Sequence, residues 1–399
     1  MADAPPRAAS VARPAVVYLI LFGSIGSFFP YIAVYYQSIG LSVESIGLLT
    51  ALQAAVALAA APVWGAFVDQ LGSVRGALAL AGLATAASAA LLGVVRDPAL
   101  IAVAVVGTAA SGSGIIPMLD SRTVDLLGPD RDRFGRARAW GSVGFIVVSL
   151  AVGGLIDRLG PASLFLVEVP GFALVGLAGW ALLGGATRGG RRLIRVTSAE
   201  VLGLLRQGRM ALFLAGSILL WTAVAAVTTF FSIHLLSLGA PAEVVGLAWA
   251  LGALVEVPLM FSFDRTVRRV RPEWLVVVGV VAFAVRTAGF ALSPSVTFVL
   301  LMMPLGGVGF AFFYVGTVTY VARSAPPRLQ ATAQGIYSGT AFSVGTILGS
   351  TIGGQLGAAL GLRALFGVCA VGAALAAVVI GAAVMRPARH VAQGPLVGG

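Results

Sequence analysis

Apolar residues in this chain come in long runs of about 20, broken by short polar stretches, rather than in the alternation of a half-buried strand or the single stripe of a soluble helix. The runs fall at 14–37, 44–68, 75–95, 98–126, 138–156, 161–185, 210–237, 243–263, 274–293, 296–322, 329–358 and 362–385. A helix of that length satisfies its own backbone hydrogen bonds while crossing a hydrocarbon core of about 30 Å. The pattern therefore predicts an all-α membrane protein with twelve transmembrane helices.

One charged interruption, "ATRGGRRLIRVTSAEVLGLLRQGR" at 186–209, divides these spans into six and six. It implies a tail at 1–13, a six-helix half at 14–185, a basic linker at 186–209, a second half at 210–385 and a tail at 386–399. Thr197 and Glu200 have capping-box spacing, so a short interfacial helix is expected within the linker. The halves repeat each other: "GLSVESIGL" at 40–48 aligns with "GAPAEVVGL" at 239–247, and "LGPASLF" at 159–165 with "LGLRALF" at 360–366. "WGAFVDQLGSVR" at 64–75 has a degraded counterpart in "MFSFDRTVRR" at 260–269. Tandem six-span halves joined by a basic loop are the sequence form of a transporter built from repeats.

Composition agrees with a membrane protein: 59% of the 399 residues are hydrophobic, 10% are charged, and the mean hydropathy is +0.99. Charge adds orientation. The net charge of +11, carried by arginine with no lysine, invites a nucleic-acid reading, but its placement argues against one. If the N-terminus lies inside, Arg96, Arg158 and Arg363 are the only arginines near outer loops. The positive-inside rule then puts both termini in the cytoplasm of a multi-pass inner-membrane protein. The first span has no cleavage site after it and begins a repeat, so it is not a signal peptide. Cys369 is alone, which excludes an intrachain disulfide, and "HExxH", a Walker loop and a Cys/His cluster are all missing. No cofactor, no metal and no enzymatic activity are expected, and a monomer is.

The motif Gly65, Asp69, Gly72 and Arg75, between the second and third spans, resembles that of the major facilitator superfamily, although Gln70 stands where a basic residue is usual. The likeness covers essentially the full chain. It implies two six-helix halves, alternating access, and a cytoplasmic latch of Gly65, Asp69, Gly72 and Arg75, with Asp264, Arg265 and Arg268 as its second-half copy. The alternative for these residues is a capped turn with positive-inside charge.

Two charged pairs are candidates for chemistry. Asp120 and Arg138 lie nine residues before and after Pro129, so in an antiparallel hairpin each is roughly 12 Å in from the turn and the two face each other as a bidentate pair. The segment "FGRARAWGSVGF" at 134–145 is similar to lactose permease and, in its second part, to phenylpropionate and nucleoside transporters of the superfamily. That resemblance implies that Asp120 and Arg138 hold the solute and that Phe145 stacks on it; a purely structural ion pair is the alternative. Glu256 and Arg286 lie fifteen residues before and after Arg271 and have the same geometry near mid-membrane, where an unpaired charge costs several kcal/mol. Arg286 matches an arginine used in proton coupling by the permease, whereas Gly306 and Gly309 stand where it has its coupling histidine and glutamate. Glu256 is therefore the expected proton carrier, with Glu168 as the alternative and a structural Glu256–Arg286 bridge also open.

Tyr31, Tyr35, Trp221 and Tyr314 lie on spans that line the family's central cavity and are candidate solute contacts, although for any one of them core packing or an interfacial belt is the stronger explanation. His234 is expected at the membrane interface. Pro30, Pro117, Pro170, Pro258 and Pro304 interrupt spans as transporter kinks do. The whole reads as a secondary active transporter, a proton-coupled importer of a small sugar-like or aromatic solute. An exporter of drug-like compounds is the rival within transport, and a non-transporting membrane sensor or scaffold the rival outside it.

Overall fold

The computed structural model describes residues 11–184, 208–267, 269–324 and 330–385. The side chains of Asp264, Arg265 and Arg268, and residues 186–207 of the linker with Thr197 and Glu200, lie outside the described set. Among the described residues there are twelve long helices and no strand. They are α1 (Ala12–Ser38), α2 (Val43–Leu71), α3 (Val74–Val94), α4 (Pro98–Leu127), α5 (Phe134–Leu159) and α6 (Pro161–Leu182), then α7 (Gly208–Ser237), α8 (Ala242–Val267), α9 (Pro272–Leu292), α10 (Val296–Ser324), α11 (330–360) and α12 (Leu362–Met385).

Local chemistry sets the helix ends. Ser42 accepts a hydrogen bond from the Ser45 amide to start α2, and Asp97 accepts from Ala99 and Leu100 to start α4, with Pro98 in the first turn. The repeats read from the sequence mark matched turns. Gly40 and Gly239 precede α2 and α8 at φ 88° and 86°, and Gly160 and Gly361 end α5 and α11 at φ 85° and 81°. Glycine is needed at these four points because the left-handed backbone penalises a Cβ.

Three helices are interrupted. α1 breaks at 29–31, where Pro30 lacks an amide hydrogen and Tyr31 leaves helical geometry at φ −120°. α4 turns at 113–114, just before Pro117, and α11 passes through a π-helical turn at Ser338–Val344. Pro170, Pro258 and Pro304 sit inside continuous helices instead.

Each packing of the first half is copied in the second. α1 lies on α5 and α6 as α7 lies on α11 and α12; α3 lies on α6 and α4 as α9 lies on α12 and α10; α2 lies on α4 as α8 lies on α10. The halves meet along two seams, α5 on α8 and α2 on α11. Both close around the second glycine of the repeated segment. A Cβ on Gly246 of α8 would lie 2.5 Å from the Ser149 carbonyl oxygen of α5, and one on Gly47 of α2 would strike the backbone of Ser350 and Gly354 on α11. Asp157 of α5 reinforces one seam by accepting the amides of Ala242 and Glu243, at 2.8 and 2.9 Å, at the start of α8. These contacts seal the end of the bundle that carries Gly40, Gly160, Gly239 and Gly361. At the other, arginine-rich end, no extended packing joins α4 to α10 or α11 among the described residues. His234 lies in the last turn of α7, and its side chain is buried there, its Nε2 3.1 Å from Ser293 Oγ and its ring edge-on to Phe366 of α12.

Candidate functional site

The first-half candidates converge on a residue that the charge pattern did not mark. Tyr18 of α1 is fully buried, and its hydroxyl donates to Asp120 Oδ1 on α4 at 2.5 Å. The Arg138 guanidinium of α5 lies 5.5 Å from the Tyr18 ring centre and 4.1 Å from that of Phe22. Among the described residues no ion pair joins Asp120 to Arg138, which corrects the direct pairing inferred from equal depth. The helices are consecutive in sequence, but α1 packs against α5 and places Tyr18 between the two charges. Tyr18 supplies a hydroxyl to one and a π-face to the other.

The second half repeats that lesson. Glu256 is half-buried on α8 and forms no ion pair with Arg286, which is buried on α9 with its guanidinium 5.4 Å from both the Phe283 and the Phe290 ring centres. The helix between them is α10, and two adjacent glycines let it in. A Cβ on Gly306 would meet the Arg286 side chain, and one on Gly307 would lie 2.9 Å from the Glu256 amide nitrogen. Gly306 is thus the surface on which Arg286 packs, and Gly309 gives room to the Phe283 ring in the same way.

Of the arginines it is Arg138 of the first half, not Arg286, that lies within electrostatic range of Glu256. The seam shows why. From the Ser149–Gly246 contact, Arg138 is eleven residues along α5 and Glu256 ten along α8, about 15–17 Å in each case, so the two charges lie level on opposite halves. Between them and the seal lies an aromatic pair, Phe29 and Trp249, edge to face at 5.0 Å across the two halves. Phe29 remains 46% exposed although it touches the opposite half. Phe145, half-buried, is two turns along α5 from Arg138 on the same helix face.

The tyrosine candidates separate. Tyr31 and Tyr35 are fully buried and committed to backbone, Tyr31 Oη to the Ser149 and Ala242 carbonyls at 2.6 and 3.3 Å and Tyr35 Oη to that of Leu92 at 2.9 Å. Trp221 is buried as well, donating from Nε1 to Tyr337 Oη at 3.3 Å within a ring of Phe342, Phe310, Phe313 and Phe283. Those three are packing residues in this conformation, not cavity walls. Tyr314 is 45% exposed and stacked on Phe310 at 5.2 Å.

Asp69 and Arg75 are both exposed on either side of Gly72, which turns the chain at φ 61°. Among the described residues no ion pair joins them, and Arg75 lies 5.7 Å from the Trp180 ring. Gly65 has open space around it.

Sequence reading missed Tyr18, Phe22, Phe29 and Trp249, although a signal existed. Tyr18, Phe22 and Phe29 share one face of α1 at spacings of four and seven, and Trp249 precedes Glu256 by seven on α8. In a wholly apolar helix, aromatics at those spacings look the same whether they face lipid, core or cavity.

Residues 12–368 match the MFS_1-like family. Over 348 residues, 85% of this chain and 86% of the relative, the sequence is 31% identical to the maltose permease of Geobacillus stearothermophilus. It is 24% identical over 353 residues, 86% of this chain and 91% of the relative, to the Probable 3-phenylpropionic acid transporter of Escherichia coli (strain K12). The crystal structure of nucleoside transporter NupG superposes with a TM-score of 0.82 at 16% identity, covering 94% of this chain and 99% of that one, and so shares its fold. The chain belongs to the MFS_1-like family: it is a multi-pass membrane transporter of small solutes, built on the major facilitator fold and not an enzyme.

Proposed function

We propose that this transporter moves a small polyhydroxylated or aromatic solute by alternating access, coupled to protons, and that the solute binds between Arg138 and Glu256. The observation that carries this reading is that these two charges stand level on opposite halves, near Asp120 and Tyr18 and below the Phe29–Trp249 pair. A planar guanidinium offers paired donors, two carboxylates accept from hydroxyls, and aromatic faces receive a ring. That combination suits the kinds of solute named for the relatives. A solute touching both halves draws them together, so binding favours the closing motion that alternating access requires.

Loop arginines support placing the arginine-rich end, and with it both termini, in the cytoplasm of the inner membrane. The described conformation is then inward-facing, with the periplasmic side sealed. The separation of Asp69 from Arg75 fits a cytoplasmic latch disengaged in that state. Glu256 is the coupling carboxylate within the cavity, and its charge partner is Arg138 rather than Arg286. No observation requires more than one copy, and the reading is of a monomer.

A thermal-shift screen of the purified protein with maltose, uridine and 3-phenylpropionate tests the site. A ligand at 100 times its Kd stabilises the folded state by about 2.7 kcal/mol. One class of solute should raise the melting temperature of the wild type and fail to do so in Arg138→Gln and Glu256→Gln; equal shifts in both variants would remove the site from the cavity. Uptake into vesicles that follows a sodium gradient and ignores a pH gradient would end the proton assignment.

A further inference from the structure

The segment that holds the latch residues opens on Trp64, and the latch gives that residue no task. In the structure Trp64 serves the break in α4. Proline does not make that break alone, since Pro170, Pro258 and Pro304 sit in helices that stay continuous. α4 loses two rungs of its backbone ladder. Pro117 has no amide hydrogen for the Ser113 carbonyl, and among the described residues the Gly114 amide does not reach the Ala110 carbonyl. The Ala110 carbonyl is satisfied by side chains instead. The indole Nε1–H of Trp64, on α2, donates to it at 2.7 Å, and the Ser113 hydroxyl donates at 3.0 Å. The indole also packs on Gly114: a Cβ there would fall 2.6 and 2.7 Å from Trp64 Cβ and Cδ1. Phe67, three residues along α2, meets the indole edge to face at 5.7 Å.

The second half lacks this arrangement. The counterpart segment at 260–269 opens on Met260 and contains no tryptophan, and α10, the match of α4, runs unbroken from Val296 to Ser324 despite Pro304. Where the indole is missing, so is the break. What lies beyond the break in α4 is the site. α2 packs along Pro98–Gly112, the first piece of α4. The second piece, Ile115–Leu127, packs on α3 and α5 and carries Asp120, which accepts the Tyr18 hydroxyl. The direction of that piece is set at the joint that Trp64 holds, six residues before Asp120.

We propose that Trp64 is a positioning residue for the solute site: by binding the Ala110 carbonyl and occupying the space at Gly114, it fixes the angle of α4 at which Asp120 meets Tyr18. This rests on the solute site proposed above, beside which Asp120 stands, and it gives that site a support on a helix that the charge pattern did not mark.

Two variants disturb the joint differently. Trp64→Phe keeps an aromatic ring and loses the N–H, whereas Gly114→Ala keeps every donor and displaces the indole. Hydrogen–deuterium exchange of the purified protein without solute reads the joint itself. Both variants should speed exchange in peptides spanning 107–120, where the Ser113 and Met118 amides are bonded to the Ala109 and Gly114 carbonyls, and leave 302–317 of α10 unchanged. Affinity for maltose, uridine or 3-phenylpropionate, whichever stabilises the wild type, reads the coupling. Trp64→Phe should weaken it about 3- to 10-fold, the range of one neutral hydrogen bond. The same change should cost less than about twofold in an Asp120→Asn background and its full amount in a Glu256→Gln background, because residues that act through one another are not additive. A merely structural tryptophan would cost the same in both. If none of the three solutes stabilises the wild type, the two cycles are read on the melting temperature, since Asp120→Asn disturbs the contact with Tyr18 either way. Unchanged exchange in Trp64→Phe, or an equal loss in the two backgrounds, overturns the proposal. Faster exchange in Trp64→Phe together with wild-type affinity in Asp120→Asn shows instead that the solute site lies elsewhere, and leaves Trp64 a support of the α4 break alone.

Discussion

The two halves share a scaffold helix for helix, yet they treat their arginines in opposite ways. In the first half Arg138 is half-buried, lies over Tyr18 and Phe22, and reaches with its field to Glu256 on the other side. In the second, Arg286 is sunk between Phe283 and Phe290 against Gly306, and its Nε finds no partner. Both guanidiniums lie beside two aromatic rings, but one is only half-buried while the other is buried. Duplicated architecture therefore fixes where helices pass but not what they present. The difference comes from which helix slides between sequence neighbours: α1 brings a tyrosine between α4 and α5, whereas α10 brings a pair of glycines between α8 and α9.

The comparison breaks first on solute binding. Arg138→Gln and Asp120→Asn should each remove a hydrogen bond to a charged group, about 1.5–3 kcal/mol or roughly 10- to 100-fold in affinity. Arg286→Met should leave binding nearly unchanged, since this guanidinium is buried against Phe283, Phe290 and Gly306 rather than placed between Arg138 and Glu256. Titration calorimetry with the solute chosen by the thermal-shift screen decides the matter; a large loss in Arg286→Met would make the halves functionally alike.

Packing gives the next effect. Gly307→Val should force α10 away from α8 and lower stability by about 1–3 kcal/mol, the usual cost of overpacking, while Gly65→Ala, with open space around it, should not. Thermal unfolding in detergent measures both. A tolerated Gly307→Val would mean that α10 is not wedged there.

A double-mutant cycle on solute affinity sharpens the assignment of partners. Arg138→Gln with Glu256→Gln should show a coupling of about 0.5–3 kcal/mol, and Glu256→Gln with Arg286→Met should add within about 0.5 kcal/mol. The reverse result would restore the pairing expected from the hairpin.

The smallest effect is at the loop. Asp69→Asn should change stability by no more than about 0.5 kcal/mol, as exposed substitutions do. In a Cys369→Ser background, it should also raise the labelling of a single cysteine placed at the arginine-rich end, if the latch favours the other conformation. Unchanged labelling leaves Asp69 as part of a capped turn.

Much of the fold was legible because a bilayer makes it so. Spans must be about 20 apolar residues long and internally hydrogen-bonded, and among the described residues eleven of the twelve runs fall on helices long and apolar enough to cross a membrane, while the run at 329–358 falls on α11, which a π-helical turn at Ser338–Val344 divides. The repeats were legible for a local reason. Gly40 and Gly239 need a positive φ, and Gly47 and Gly246 admit another backbone, so each repeated glycine has a use that no other residue can serve. The candidate site was only half legible. Arg138, Asp120 and Glu256 stand out because charge is rare in such a chain, but Tyr18, Phe22, Phe29 and Trp249 are aromatics among aromatics. Tyr31 and Tyr35, marked by the same reasoning, turned out to face backbone carbonyls.

The sequence by itself thus determined the number of long helices, their grouping into two repeated halves and which ionisable groups fall on those helices, since each follows from local hydropathy and local backbone geometry. Only the tertiary structure decided which of those groups meet. Equal depth in a hairpin places two charges at one level, but contact depends on which third helix lies between them. That choice is made by long-range packing, in which Gly306 and Gly307 admit α10 between Glu256 and Arg286, and the α5–α8 seam sets Glu256 level with Arg138.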